Sequence, residues 1–281
     1  MAYSLVLFAA AAALLVACVQ GAALDLPQIV NGEVADPGEF PHQVSLQRKQ
    51  TLFFWSWTEH FCGGTILSER WILTAGHCKL GGQVFVVAGV NSIRTKDKKA
   101  GQVVPTDLFI VHEKYDGEVK PYDIALLRTT EPLVLGPLVK AAKLPSPDSV
   151  PSGEVKLSGW GYVNNGMFPG TKDLHKMTVP VIDLQSCNTT IIANLPTWSH
   201  STLADTNVCT GAGPSGSTSA CSGDSGGPLI LKSSEDDEAV TVVGIVSWGF
   251  VPCGRGGKPS VYTRVSAYID WIASTMGNNA P

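Results

Sequence analysis

A chain of 281 residues, 44% hydrophobic and 16% charged with a net charge of −4, has the balance of a globular protein holding one large core or two moderate ones, which excludes a disordered polypeptide. It has no basic run of the kind that follows nucleic-acid phosphates. The densest cationic stretch, residues 94–99, reads as a solvated loop, so nucleic acid is excluded as an expected partner.

Residues 1–23 contain no charged side chain and pass from an apolar run into small residues, the pattern of a secretory signal cut near Gly21 or Ala23. The apolar part is shorter than a membrane span requires. The "LVAC" at 15–18 is similar to a bacterial lipoprotein box, but no Lys or Arg precedes the apolar run. The expectation is a secreted, extracellular protein with no membrane partner. Further on, "RKQTLFFWSWTEH" gathers Leu52, Phe53, Phe54, Trp55 and Trp57. Two readings stay open: alternate rings pack onto the fold beneath, as strand periodicity allows, or the rings meet a substrate or a large partner.

Short apolar runs follow at 85–90, 123–128, 155–160, 227–231 and 240–248, separated by Gly, Pro, Asn and charged clusters. That punctuation predicts an all-β protein, sandwich or barrel. The Pro-rich stretch 144–153 has linker composition and lies near the middle, which divides the chain into two β domains of similar size. "NTT" makes Asn188 a candidate for glycosylation, and "SSEDDE" at 233–238 reads as a solvated hairpin tip. Only the C-terminus reads as helix: Ser266 stands where a cap belongs, Val265, Tyr268, Ile269 and Ile272 share a face, and Gly277 marks the stop.

Seven cysteines are present, and Cys18 falls within the expected signal. The six that remain, Cys62, Cys78, Cys187, Cys209, Cys221 and Cys253, suit an oxidising compartment and allow fifteen pairings. None has CxxC spacing, so no zinc site, and no other metal or cofactor, is expected.

Three places carry chemistry. "CSGDSGGPL" sets Ser225 among glycines, which suits a sharp backbone turn whose N–H groups come close to a substrate. "LTAGHC" places His77 beside a cysteine after an apolar run, and "YDIALLR" places Asp123 at the start of another. Singly, each has an ordinary structural reading, such as a turn-capping Asp. Together, in the order His, Asp, Ser, and with "IVNG" at 29, "SGWG" at 158, "SWG" at 247 and "VYTRVSAYIDWI" at 261, they resemble the chymotrypsin family of serine peptidases over nearly the whole chain beyond residue 28.

The resemblance implies two six-stranded antiparallel β-barrels with a C-terminal helix, the first over 29–141 and the second over 142–281, and a site in the crevice between them. It implies Ser225 as nucleophile, His77 as general base and acid, Asp123 as the residue orienting His77, and an oxyanion hole from the backbone N–H groups of Gly223 and Ser225. It implies a zymogen whose 24–28 propeptide is cut so that the freed amino group of Ile29 pairs with Asp224, although Gln28 departs from the Lys or Arg that trypsin-like activators prefer. The family pairing of cysteines would be Cys62 with Cys78, Cys187 with Cys209, and Cys221 with Cys253. Ser219 would form the substrate-pocket floor where trypsin-like members carry Asp, with Ala220, Ser247, Trp248, Gly249 and Ser260 around it.

Those residues imply chymotrypsin-like cleavage after Phe, Tyr, Leu or Met. Elastase-like or collagenolytic preference is the competing reading, and a catalytically silent binding homologue is a third. Val90 stands where calcium-binding members have Glu, so no calcium site is implied there. The expected partners are protein or peptide substrates and protein inhibitors of a monomeric enzyme. Gly76, where the family commonly has Ala, loosens the backbone beside His77.

Overall fold

The computed structural model describes residues 32–98, 100–162, 170–197, 199–213, 216, 218–232 and 239–280. The expected signal, the 24–28 segment, Ile29 and the acidic 233–238 stretch lie outside them.

After a two-residue strand β1 (Glu33–Val34) come β2 (Gln43–Leu52), β3 (Trp55–Ile66), β4 (Trp71–Thr74), β5 (Val84–Ala88), β6 (Gln102–Val111) and β7 (Ala125–Thr129). Strands β2 to β7 close as an antiparallel barrel in the order β2-β3-β4-β7-β6-β5. The second half supplies β8 (Glu154–Gly159), β9 (His175–Ile182), β10 (Asn207–Thr210), β11 (Pro228–Leu231), β12 (Thr241–Gly249) and β13 (Ser260–Arg264). These run in the order β9-β10-β13-β12-β11-β8, and β8 pairs back onto β9, so the second ring closes as well. Closure removes the open edges that make isolated sheets aggregation-prone. β1 lies along β9 through Glu33 opposite Lys176, which carries the start of the described chain onto the second barrel.

Each short apolar run of the sequence becomes a strand: β5, β7, β8, β11 and β12. β4 is buried at every residue, as a strand covered on both faces must be. One apolar cluster takes Leu46, Ile66, Ile72 and Leu126 from the first barrel and continues into Ile245, Val265 and Ile272. A second, around Leu157, Val179, Leu229 and Tyr262, fills the other barrel. The expected division at 141/142 falls between β7 and β8.

Two sequence expectations need correction, and one open reading is decided. Besides a short α1 (Thr95–Lys98), a helix α2 (Leu184–Asn194) is present that periodicity did not announce. Its Thr- and Ile-containing sequence is a weak helix former, and Asp183 starts it by accepting the Ser186 N–H at 2.8 Å. At the C-terminus, Ser266 does not cap the helix. It lies in a 3-10 turn, Val265–Tyr268, where its Oγ donates to Ser149 O at 2.5 Å and accepts from Arg264, and α3 (Ile269–Asn278) begins after it. Helix α3 passes Gly277 by one residue, and the Asn279 N–H closes on the Gly277 carbonyl. Finally, the rings of residues 53–57 do not pack onto the barrel. β2 and β3 extend beyond it as a hairpin, and all five apolar side chains from Leu52 to Trp57 face solvent.

Candidate active site

β4 delivers the chain to a 3-10 turn, Gly76–Cys78, with His77 at its centre. Gly76 leaves room there for the Tyr115 ring, which would lie 2.9 Å from a Cβ and have to shift. Across from this turn, Asp123 precedes β7. Its Oδ1 accepts the His77 backbone N–H at 2.9 Å, and its Oδ2 lies 2.7 Å from His77 Nδ1. Oδ2 also accepts from Ser247 Oγ at 2.5 Å, and the Asp123 carbonyl accepts from Thr263 Oγ1 at 2.7 Å.

The Asp123 side chain is 3% exposed and that of His77 30%. A carboxylate only accepts, so Nδ1 carries the hydrogen, and in the neutral ring Nε2 is then the nitrogen with a free lone pair. Tyr122, just before Asp123, has φ +67, a strained conformation for a bulky residue. Its N–H donates to Tyr268 Oη at 3.2 Å, and His112 packs on its ring while stacking on Trp271 of α3. The C-terminal helix thereby fixes the turn that presents Asp123.

The Ser225 loop is fastened to both barrels. The Ser225 carbonyl accepts from Gly63 N in β3 at 2.7 Å, and Gly226 N donates to Val246 O in β12 at 2.9 Å. Cys62, beside Gly63, is bonded to Cys78, beside His77, so this disulfide ties the His77 turn to the strand that holds the Ser225 carbonyl. Gly223 has φ +96, a left-handed conformation that suits glycine. Among the described residues, neither the Gly223 nor the Ser225 N–H is taken up by a backbone carbonyl.

Asp224 is fully buried, accepts from Gly161 N and Cys221 N at 2.9 Å each, and is pushed by burial from 3.8 up to about 6. A Cβ at Gly161 would lie 2.6 Å from either carboxylate oxygen, so glycine makes room for this side chain.

His60 is a participant that sequence reasoning missed. Its Nε2 lies 2.8 Å from the Gly223 carbonyl, and its Nδ1 lies 2.8 Å from Ser45 Oγ. Burial lowers it to about 4, with Lys172 and Lys98 adding to the effect. The ring is therefore neutral near pH 7, and since a carbonyl only accepts, Nε2–H donates and Nδ1 receives the Ser45 hydroxyl proton. Nothing around His60 in the sequence signals a partner 163 residues away.

Beside Ser225 lies a cavity of about 180 Å³, the scale of one side chain rather than of a drug-sized ligand. Ala220, Ser247, Trp248 and Gly249 line it as expected, and Phe250 and Val251 join them unannounced. Among the described residues, no charged side chain lines it. Ser219 and Ser260 are buried without reaching the lining, with Ser260 opposite Gly249 in the β12/β13 register. The Ser219 Oγ has no hydrogen-bond partner among the described residues. Cys221–Cys253 ties two walls together and Cys187–Cys209 ties α2 to β10, while Asn188 is half-buried on α2. Cys62, His77 and Cys78 converge as metal ligands would, but both sulfurs are in a disulfide, so the group has no thiolate to offer.

Residues 29–272 match the protein family described as Trypsin. The chain is similar to Lectizyme of Glossina austeni, 37% identical over 97% of this chain and 98% of that one. It is likewise similar to Trypsin Blo t 3 of Blomia tropicalis, at 38% identity over 87% and 84% of the two lengths. Trypsin-1 of Astacus astacus shares 34% identity over 87% of this chain and 98% of its own.

Proposed function

Since the chain belongs to the trypsin family and is a serine endopeptidase, we propose that His77, Asp123 and Ser225 are its catalytic triad and that it cleaves after large apolar residues. The observation that supports the triad is the His77–Asp123 pair at 2.7 Å, next to a cavity that Ser225 lines.

In this reading the Ser225 hydroxyl gives its proton to His77 Nε2 as its oxygen attacks the scissile carbonyl carbon. The oxyanion is held by the Gly223 and Ser225 N–H groups, each contributing about 3 kcal/mol by comparison with single-donor removals elsewhere. His77 then hands the proton to the leaving amine as the C–N bond breaks. Water repeats the sequence on the acyl-enzyme.

Specificity follows from charge. A Lys or Arg side chain entering the cavity would find no carboxylate among its lining residues, although three relatives of the chain are named trypsins. Leaving a cation buried and unpaired costs about 3–5 kcal/mol, or at least ~100-fold in rate. A scan of peptide substrates varied at P1 should therefore give kcat/KM for Phe, Tyr, Leu and Met at least ~100-fold above Arg and Lys. A scan led by Ala and Val would establish the elastase-like alternative, and one led by Arg would overturn both.

The proposal includes a secreted zymogen: a signal over 1–23, a 24–28 propeptide, and a cut after Gln28 that frees the Ile29 ammonium for Asp224. Asp224 supports it: among the described residues its fully buried carboxyl accepts only from the Gly161 and Cys221 N–H groups, and burial lifts it to about 6, so an ammonium brought to it would be held strongly. A carboxyl raised in the fold adds stability below its unfolded value, near 3.8, and loses that contribution as pH rises through about 6. A paired ammonium reverses the sign. The urea midpoints of the uncut and cut chains should therefore diverge as pH rises from 4 to 7, the cut chain becoming the more stable. Parallel curves would reject the ion pair. Asn188 is proposed as a glycosylated residue, and protein inhibitors that occupy the crevice as partners.

A further inference from the structure

The β2–β3 hairpin, with Leu52, Phe53, Phe54, Trp55 and Trp57 exposed by 48% to 101%, is the largest apolar projection among the described residues. The turn itself is Phe53–Phe54, and Phe53 has φ +53. Two-residue hairpin turns of this kind ordinarily use Asn or Gly at such positions. A bulky ring there strains the backbone and displays an apolar surface, a combination that folding alone does not favour.

The register sorts the side chains. Leu52 faces Trp55, Gln50 faces Trp57 and Arg48 faces Glu59, all on one side, while Thr51 with Ser56 and Lys49 with Thr58 lie on the other. Phe53 and Phe54 form the extreme tip. Trp57 follows roughly 10 Å behind and Arg48 roughly 17 Å behind, at about 3.4 Å per residue. At the base, Lys98 Nζ donates to Gln47 Oε1 at 2.7 Å and Thr58 Oγ1 at 3.1 Å. Burial first, and the neighbouring Lys172 after it, disfavours the charged form of both Lys98 and His60. Arg48, Lys49, Lys98 and Lys172 thus outnumber Glu59 and Asp97 around the hairpin.

Phenylalanine outermost, tryptophan next and cations behind is the order of environments met on entering a lipid leaflet: acyl chains, interface, phosphates. We propose that this hairpin docks the enzyme onto an anionic lipid surface, the Phe53–Phe54 tip and the two tryptophans entering the interfacial zone and the basic collar resting on headgroups. An amphipathic segment binds in this way at a depth of about 5–10 Å without spanning. The absence of a spanning segment, from which no membrane partner was expected, does not bear on a surface contact. A sugar-stacking site fits less well, because the tip rungs carry only the Thr51 and Ser56 hydroxyls as polar side chains.

The test is flotation of the secreted full chain, carrying Ser225→Ala to stop self-digestion, with vesicles of phosphatidylcholine alone or mixed with phosphatidylserine. The expected result is roughly tenfold or stronger partition onto the mixed vesicles, falling with salt, with a blue shift of tryptophan emission. Phe53→Asn combined with Phe54→Gly and Trp55→Thr keeps turn- and strand-forming residues and should reduce partition at least about tenfold with the thermal midpoint retained. Trp55→Thr alone should give an intermediate loss. No partition by the parent chain, or equal partition by the triple variant, would overturn the proposal. So would binding to immobilised glycans or self-association lost in that variant, if vesicles are not bound.

Discussion

Ser225→Ala is expected to lower peptide hydrolysis by about 10⁶-fold, the size of effect that removing this hydroxyl has in other serine peptidases. The residual rate should still exceed that of water, because positioning and the oxyanion donors survive the substitution. The cavity has two other hydroxyls, on Ser222 and Ser247. That of Ser247 is committed to Asp123, so it could attack only by giving up that bond. Incubation with a fluorophosphonate, followed by mass spectrometry of the labelled peptide, should locate the adduct on Ser225 in the parent and find none in the variant. Labelling that persists in the variant would move the nucleophile elsewhere.

Asp123→Asn should lower kcat by about 10⁴-fold with little change in KM. The side chain is buried and its Oδ2 serves both His77 Nδ1 and Ser247 Oγ, so shape is preserved while one acceptor becomes a donor. If the new amide N–H faces Nδ1, the imidazole must receive there and carry its hydrogen on Nε2, the atom that has to accept the serine proton. Steady-state kinetics on the best substrate from the P1 scan measures this. A loss below about tenfold would mean that Asp123 is not what sets the tautomer.

Strands β5, β7, β8, β11 and β12 were readable because each is a short apolar run closed by turn residues, whereas mixed strands such as β2 and β9 carry no such run. The three chemical segments were readable because His77, Asp123 and Ser225 each lie in a distinctive string. What escaped is non-local. The Ser247 and Thr263 hydroxyls reach Asp123 over 124 and 140 residues of sequence, and no pattern around them marks that contact. Ser247 was expected only as a pocket wall. Ser266 looked like a cap because caps are local, but Arg264 and Ser149 claim its hydroxyl. The aromatic segment illustrates another limit: alternation is compatible with burial, and only the register, which carries β2 and β3 past the barrel, shows these rings facing solvent.

Three of the bonds that hold the proposed site together run between the two halves of the molecule. Ser247 and Thr263 of the second barrel hold Asp123 of the first, while Gly63 of the first holds Ser225 of the second. Each half has strands and apolar residues enough to satisfy itself, yet neither contains a complete set of reacting groups. Catalytic competence is therefore a property of the seam, and damage at the seam would pass for an active-site lesion. A variant far from any substrate could keep the far-ultraviolet signature and melting behaviour of a native protein while being inert. In a large library of variants, the dead but well-folded ones should trace the line along which the barrels meet.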